Sequence, residues 1–78
     1  MDGKTRILTM VPPDRDVVLI EIDGGRSLRR RLSDMGLYEG ARFRVVHTHA
    51  VGPCLIAVNQ TRLMLGHGMA EKIIVREI

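Results

Sequence analysis

The chain has 78 residues, enough for one small domain, and one cysteine, Cys54, so no disulfide can form within it. Hydrophobic residues make up 45% but aromatics only 3%, with no Trp, one Tyr and one Phe. The core must therefore be aliphatic, and functions built on stacking bases or gripping proline-rich peptides are disfavoured. The net charge of +3, from 12 Lys+Arg against 9 Asp+Glu, is mildly basic and is not the footprint of a dedicated nucleic-acid binder.

A lone thiol fits a reducing compartment. No apolar run approaches the ~20 residues of a spanning helix, and the opening stretch MDGKTRILTMVPP lacks the apolar core and cleavage site of a secretory signal. The expectation is a soluble, cytoplasmic protein that would reach the inner face of a membrane only through a partner.

In chain order, Ile7, Leu8 and Met10 suit a short edge strand or a core cover, and Pro12-Pro13-Asp14 marks a turn. Asp16 to Asp23 is rich in β-branched residues and reads as a strand. Val18, Ile20 and Ile22 form its uncharged face and are the expected core set; Val17, Leu19 and Glu21 form the other face. Gly24-Gly25 ends it. A short helix follows, capped by Ser27, with Leu28, Leu32 and Met35 at i, i+4 and i+7 on one face. Gly36 can take the left-handed conformation that closes a helix, and Leu37 can pack back on the last turn.

The remainder reads as strands. Glu39-Gly40 is a turn. Ala41 to His49 alternates, with Phe43, Val45 and His47 on one side and Arg42, Arg44 and Val46 on the other. Gly52-Pro53 breaks that run. Leu55 to Asn59 and Arg62 to Leu65 form a hairpin around Gln60-Thr61, Gly66 to Ala70 is a loop or single helical turn, and Lys72 to Ile78 is the last strand. Five or six short strands and one small helix predict a mainly β protein, a small barrel over residues 1–78.

The stretch RRRLSDMGLYEG, Arg29 to Gly40, resembles the signature of the FeoA family, ferrous iron transport protein A. The matching features are Arg31-Leu32, Gly36-Leu37 and Gly40, then a strand from Arg42. Next come the Gly52-Pro53 break, the aliphatic strand Leu63-Met64-Leu65, a turn with Ala70 and the ending Ile73-Ile74-Val75. The resemblance runs from about residue 7 to residue 78. It implies an SH3-like barrel and a non-enzymatic cytosolic accessory of a membrane ferrous iron transporter with a GTP-hydrolysing domain. The same module occurs at the C-terminus of iron- and manganese-dependent repressors, so a metal-binding or metal-sensing domain is the alternative. No helix-turn-helix segment is present, which favours a free-standing module. The chain departs from the family pattern at Pro12-Pro13-Asp14, where a Pro-Gly pair is usual. It departs again at Gly66-His67-Gly68, where basic residues are usual.

Four sets of residues carry the functional expectations. Arg29, Arg30 and Arg31 are either a solvated helix face or a docking patch for an acidic surface, a task that suits the planar guanidinium fork. His67, between two glycines, reads as a mobile, protruding loop and a partner contact. His47 and His49, two apart on a strand, are the metal candidates for Fe(II) or Zn(II), with Cys54 and His67 able to complete the set in space; the alternative is an exposed, unliganded pair. Such a site could also bridge two copies in a homo-oligomer. No cofactor is required, and no catalytic constellation emerges: Asp14, Asp16 and Glu39 read as turn residues, Cys54 as an inert thiol and Met35, Met64 and Met69 as core filler.

Overall fold

The computed structural model describes residues 4–49 and 51–78; Ala50 and the first three residues of the N-terminal stretch lie outside them. The elements are β1 (Thr5–Ile7), a 3-10 turn (Leu8–Met10), β2 (Arg15–Ile22), α1 (Arg26–Asp34), β3 (Arg42–His47), β4 (Cys54–Val58), β5 (Thr61–Leu65), α2 (His67–Ala70) and β6 (Ile73–Glu77). The six strands form one antiparallel sheet in the order β1-β6-β2-β3-β4-β5, coiled into a small SH3-like barrel around an aliphatic core. The mainly β expectation holds, with α2 as the single helical turn near Ala70.

The core face of β2 differs from the sequence expectation. Val17 and Leu19 are buried with Ile22, while Val18 and Ile20 face outward and are half-buried. The cause is a bulge. Leu19 pairs with Val75 and Glu21 with the next residue back, Ile74, so Ile20 is an extra residue. Strict alternation would place Ile22 opposite Leu19; the bulge returns both to the core side. Hydrophobicity alone could not separate the faces, because both carry β-branched or aliphatic residues.

In β3 the alternation predicts Phe43 and Val45 correctly, and both are buried. His47 does not follow them. Val45 pairs with Ile56 and His47 with Leu55, which leaves Val46 unpaired and turns His47 out to solvent. The β4–β5 hairpin turns at Asn59-Gln60, one residue before the expected Gln60-Thr61. Both turn residues have positive φ, 51° and 64°, as a two-residue type I′ connection requires.

Helix α1 starts at Gly25, which has no side chain to cap it; Ser27 lies inside the first turn and makes no cap. Its end matches expectation. Gly36 has φ of 92°, its N–H donates to the Ser33 carbonyl at 2.9 Å, and the Leu37 N–H donates to the Leu32 carbonyl at 2.9 Å. These two bonds satisfy last-turn carbonyls and fix the chain reversal that buries Leu37 beside Leu32. Leu28 and Met35 pack on the edge of the core.

Candidate functional site

The α1 face is built by that helix and the chain that leaves it. Arg29, Arg30 and Arg31 are all exposed but are not equivalent. Arg29 is held down: its Nε–H donates to the Gly24 carbonyl at 3.2 Å, and its guanidinium lies 3.8 Å from the Glu39 carboxylate. Arg30 and Arg31 have no ion-pair partner among the described residues. Of the three, Arg29 lines a shallow cleft of about 370 Å³, together with Ile22, Ser33, Tyr38 and Glu39. Tyr38 is 54% exposed, an unusual position for the chain's one tyrosine. Tyrosine and arginine side by side on an exposed face are the residue types that carry most energy at protein interfaces.

A second basic face escaped the sequence reading. Arg42 and Arg76 stand opposite Val18 from its two sides, and Arg44 and Arg62 stand opposite Ala57 from its two sides. Four arginines from three strands, β3, β5 and β6, therefore share the outer face of the sheet. Only Arg44 is neutralised there, by Asp16 at 3.2 Å, among the described residues. The signal available in sequence was the Arg42-Phe43-Arg44 alternation; Arg62 and Arg76 join it only through strand pairing.

His67 is not on a protruding loop. It opens α2, whose Ala70 is fully buried and whose Met69 packs on the core. Its Nε2 lies 3.3 Å from the Glu71 carboxylate, and Nδ1 is turned inward with no hydrogen-bond partner among the described residues. The flanking glycines are compatible with a helical turn, and apolar burial on one side holds it.

His47 and His49 are brought together, with ring centroids 4.3 Å apart and planes nearly perpendicular at 84°. Cys54 and His67 do not complete a cluster with them: no group of three His, Cys, Asp or Glu able to hold a metal occurs among the described residues. Cys54 is buried, and burial pushes its thiol up to about 11, so it offers neither a nucleophile nor a ready metal ligand at neutral pH. No helix among the described residues is long and apolar enough to cross a membrane.

The FeoA domain family model matches residues 7–77. The chain belongs to the FeoA family. It is 29% identical over 70 residues to a Methanocaldococcus jannaschii protein named Fe(2+) transport protein A, covering 90% of this chain and 84% of that one. The crystal structure of an iron uptake regulatory protein, FeoA, superimposes with a TM-score of 0.88 at 32% identity, over 96% of this chain and 100% of that chain. A manganese-dependent transcriptional repressor matches with a TM-score of 0.83 at 20% identity, over 97% of this chain and 43% of its own, a likeness of fold alone. The SH3-like expectation drawn from the signature around Arg31-Leu32 and Gly36-Leu37 is thus met.

Proposed function

We propose that this FeoA-family chain is a small non-enzymatic accessory of ferrous iron transport, which docks through its α1 face onto an acidic surface of a membrane transporter's cytosolic, GTP-hydrolysing part. Family membership supports the transport role. One observation carries the docking face: Arg30 and Arg31 stand exposed with no ion-pair partner among the described residues, on the helix whose Arg29 and Ser33 line the Tyr38 cleft. An unpaired guanidinium gains most from a carboxylate, because the pairing is bidentate and charge-assisted. Arg29, already committed to Glu39, shapes the cleft wall, and His67 is a lesser contact because half of its ring is engaged in α2. Docking changes the partner only to the extent that it binds one of the partner's states more tightly than another.

The test is retention of the chain by the transporter's cytosolic domain. Arg30→Glu/Arg31→Glu and Tyr38→Ala should each reduce retention at least tenfold, while Arg42→Glu/Arg62→Glu on the outer sheet face should leave it unchanged. Equal retention of wild type and both α1-face variants overturns the reading. Loss only in the sheet variant moves the docking surface to the sheet.

A further inference from the structure

The paired histidines are left unused by the docking reading, and their arrangement has a physical cause. The bulge at Val46 carries His47 to the outside of the barrel. The next residue, Thr48, is turned the other way: its hydroxyl donates to the Val11 carbonyl at 2.9 Å in a partly buried contact. With Thr48 tied inward, His47 and His49 on either side of it both face solvent, and their rings touch edge to face at 4.3 Å. Gly52 lies next to the second ring. A Cβ built there would lie 3.4 Å from the Cβ and 3.7 Å from the Cγ of His49, ordinary van der Waals distances that place this turn against the ring. Neither histidine has a hydrogen-bond or ion-pair partner among the described residues, so nitrogen lone pairs on both rings are open to a ligand.

We propose that His47 and His49 form a two-imidazole chelate for a late first-row divalent cation, of which Zn(II) is the representative. Zinc–nitrogen bonds of about 2.0–2.1 Å in tetrahedral geometry require two ligand nitrogens roughly 3.3 Å apart. Ring centroids 4.3 Å apart are close enough for one nitrogen of each ring to approach that separation. Imidazole donors select zinc, copper, nickel and iron over calcium and magnesium, which demand oxygen. Two protein donors leave two coordination positions to water or to an incoming ligand. The site is therefore open and exchanging, not a structural clamp. Buried Cys54 and His67 in α2 take no part. This proposal stands independently of the docking reading.

Zinc chloride is titrated into the full chain, followed by calorimetry and by NMR of the histidine rings. One ion per chain, or one shared by two chains, should bind with selective shifts of the His47 and His49 rings and none of His67. His47→Ala and His49→Ala should each weaken binding more than about tenfold, since even loss of a group that only orients a ligand costs 10–100-fold. His67→Ala should bind as wild type. Both paired histidines are exposed, and the ring shifts of the wild-type chain identify the ligands without any variant. Absence of saturable binding overturns the proposal. So does binding that survives in either single variant, or shifts centred on His67.

Discussion

A Cβ built on Gly36 would stand 2.8 Å from Nδ2 of Asn59, so a side chain at the end of α1 would push aside the Asn59 amide at the tip of the β4–β5 hairpin. Gly36 also has φ of 92°. Left-handed strain is therefore the main penalty against a side chain here, and displacing the Asn59 amide adds a smaller one. Gly36→Ala should destabilise the fold by about 2–3 kcal/mol, of which left-handed strain supplies about 1–2 kcal/mol. Gly40 separates the terms, because it has nearly the same φ of 91° but nothing within 4 Å of a built Cβ. Gly40→Ala should cost only the strain. Urea unfolding of the two variants decides the matter: equal losses would remove the Asn59 contact from the account.

The bulge in β2 gives the second prediction. Leu19 is 1% exposed, while Ile20 is half-buried on the outer face. Leu19→Ala should cost about 2–5 kcal/mol, in the range for buried leucines. Ile20→Ala should cost about 1 kcal/mol, because its cavity opens to water. The reverse order in thermal unfolding would restore the face chosen from sequence and remove the bulge.

That contrast shows where sequence stops being informative about this fold. The helix end was legible because Gly36 and Leu37 act on carbonyls one turn away, a local matter. The alternation of Arg42 to Val45 was legible because charge and apolar residues separate cleanly. Neither bulge was legible. Ile20 and Val46 are ordinary strand residues, and their extra status arises from pairing with β6 and β4. The candidate site divides in the same way. The i, i+2 spacing placed His47 and His49 together correctly, but for a different reason from simple alternation. Arg29 could not be told from Arg30 and Arg31 until Glu39 was seen to reach it across the α1–β3 connection.

Cys54 gives a prediction in pH. Its folded thiol titrates near 11 against an ordinary value of 9.0, because burial disfavours the thiolate. Between those values the unfolded chain has lost its proton and the folded chain has kept it. Stability from this group is therefore complete below about pH 9 and declines as pH rises toward 11, by on the order of 2 kcal/mol. Comparing wild type with Cys54→Ala at pH 8 and pH 10.5 isolates the effect from the other basic groups: the gap between the two proteins should narrow at the higher pH. A thiol reagent at pH 8 should label the native chain only as fast as the chain opens. Rapid native labelling would contradict the burial.

Glu77 joins three strands at once. Its carboxylate lies 3.6 Å from the Arg6 guanidinium on β1 and 3.7 Å from that of Arg15 on β2, while its own residue pairs with Val17. Both arginines are substantially exposed, so each pair is worth little in water. Glu77→Gln should lower stability by about 0.5–1 kcal/mol at low salt, and the loss should shrink as the Debye length falls to about 3 Å near 1 M salt. A loss independent of salt would mean that Glu77 acts through packing.

The β4–β5 turn offers a gain. Gln60 holds φ of 64° at the second position of a type I′ turn, where glycine is the favoured residue because it has no Cβ to meet the following carbonyl. Asn59, at the first position, already belongs to the small set that tolerates this conformation. Replacing Gln60 by glycine relieves about 1 kcal/mol of left-handed strain and gives back part of that in unfolded-state entropy. Gln60→Gly should therefore stabilise the fold by about 0.5 kcal/mol, a rise in Tm of roughly 2–4 °C for a domain of this size. The substitution leaves Asn59 against Gly36 and so should not alter the cost of Gly36→Ala. A double variant measured by the same unfolding curve tests that independence. Loss of stability in Gln60→Gly alone would show that the glutamine side chain makes contacts outweighing its strained backbone.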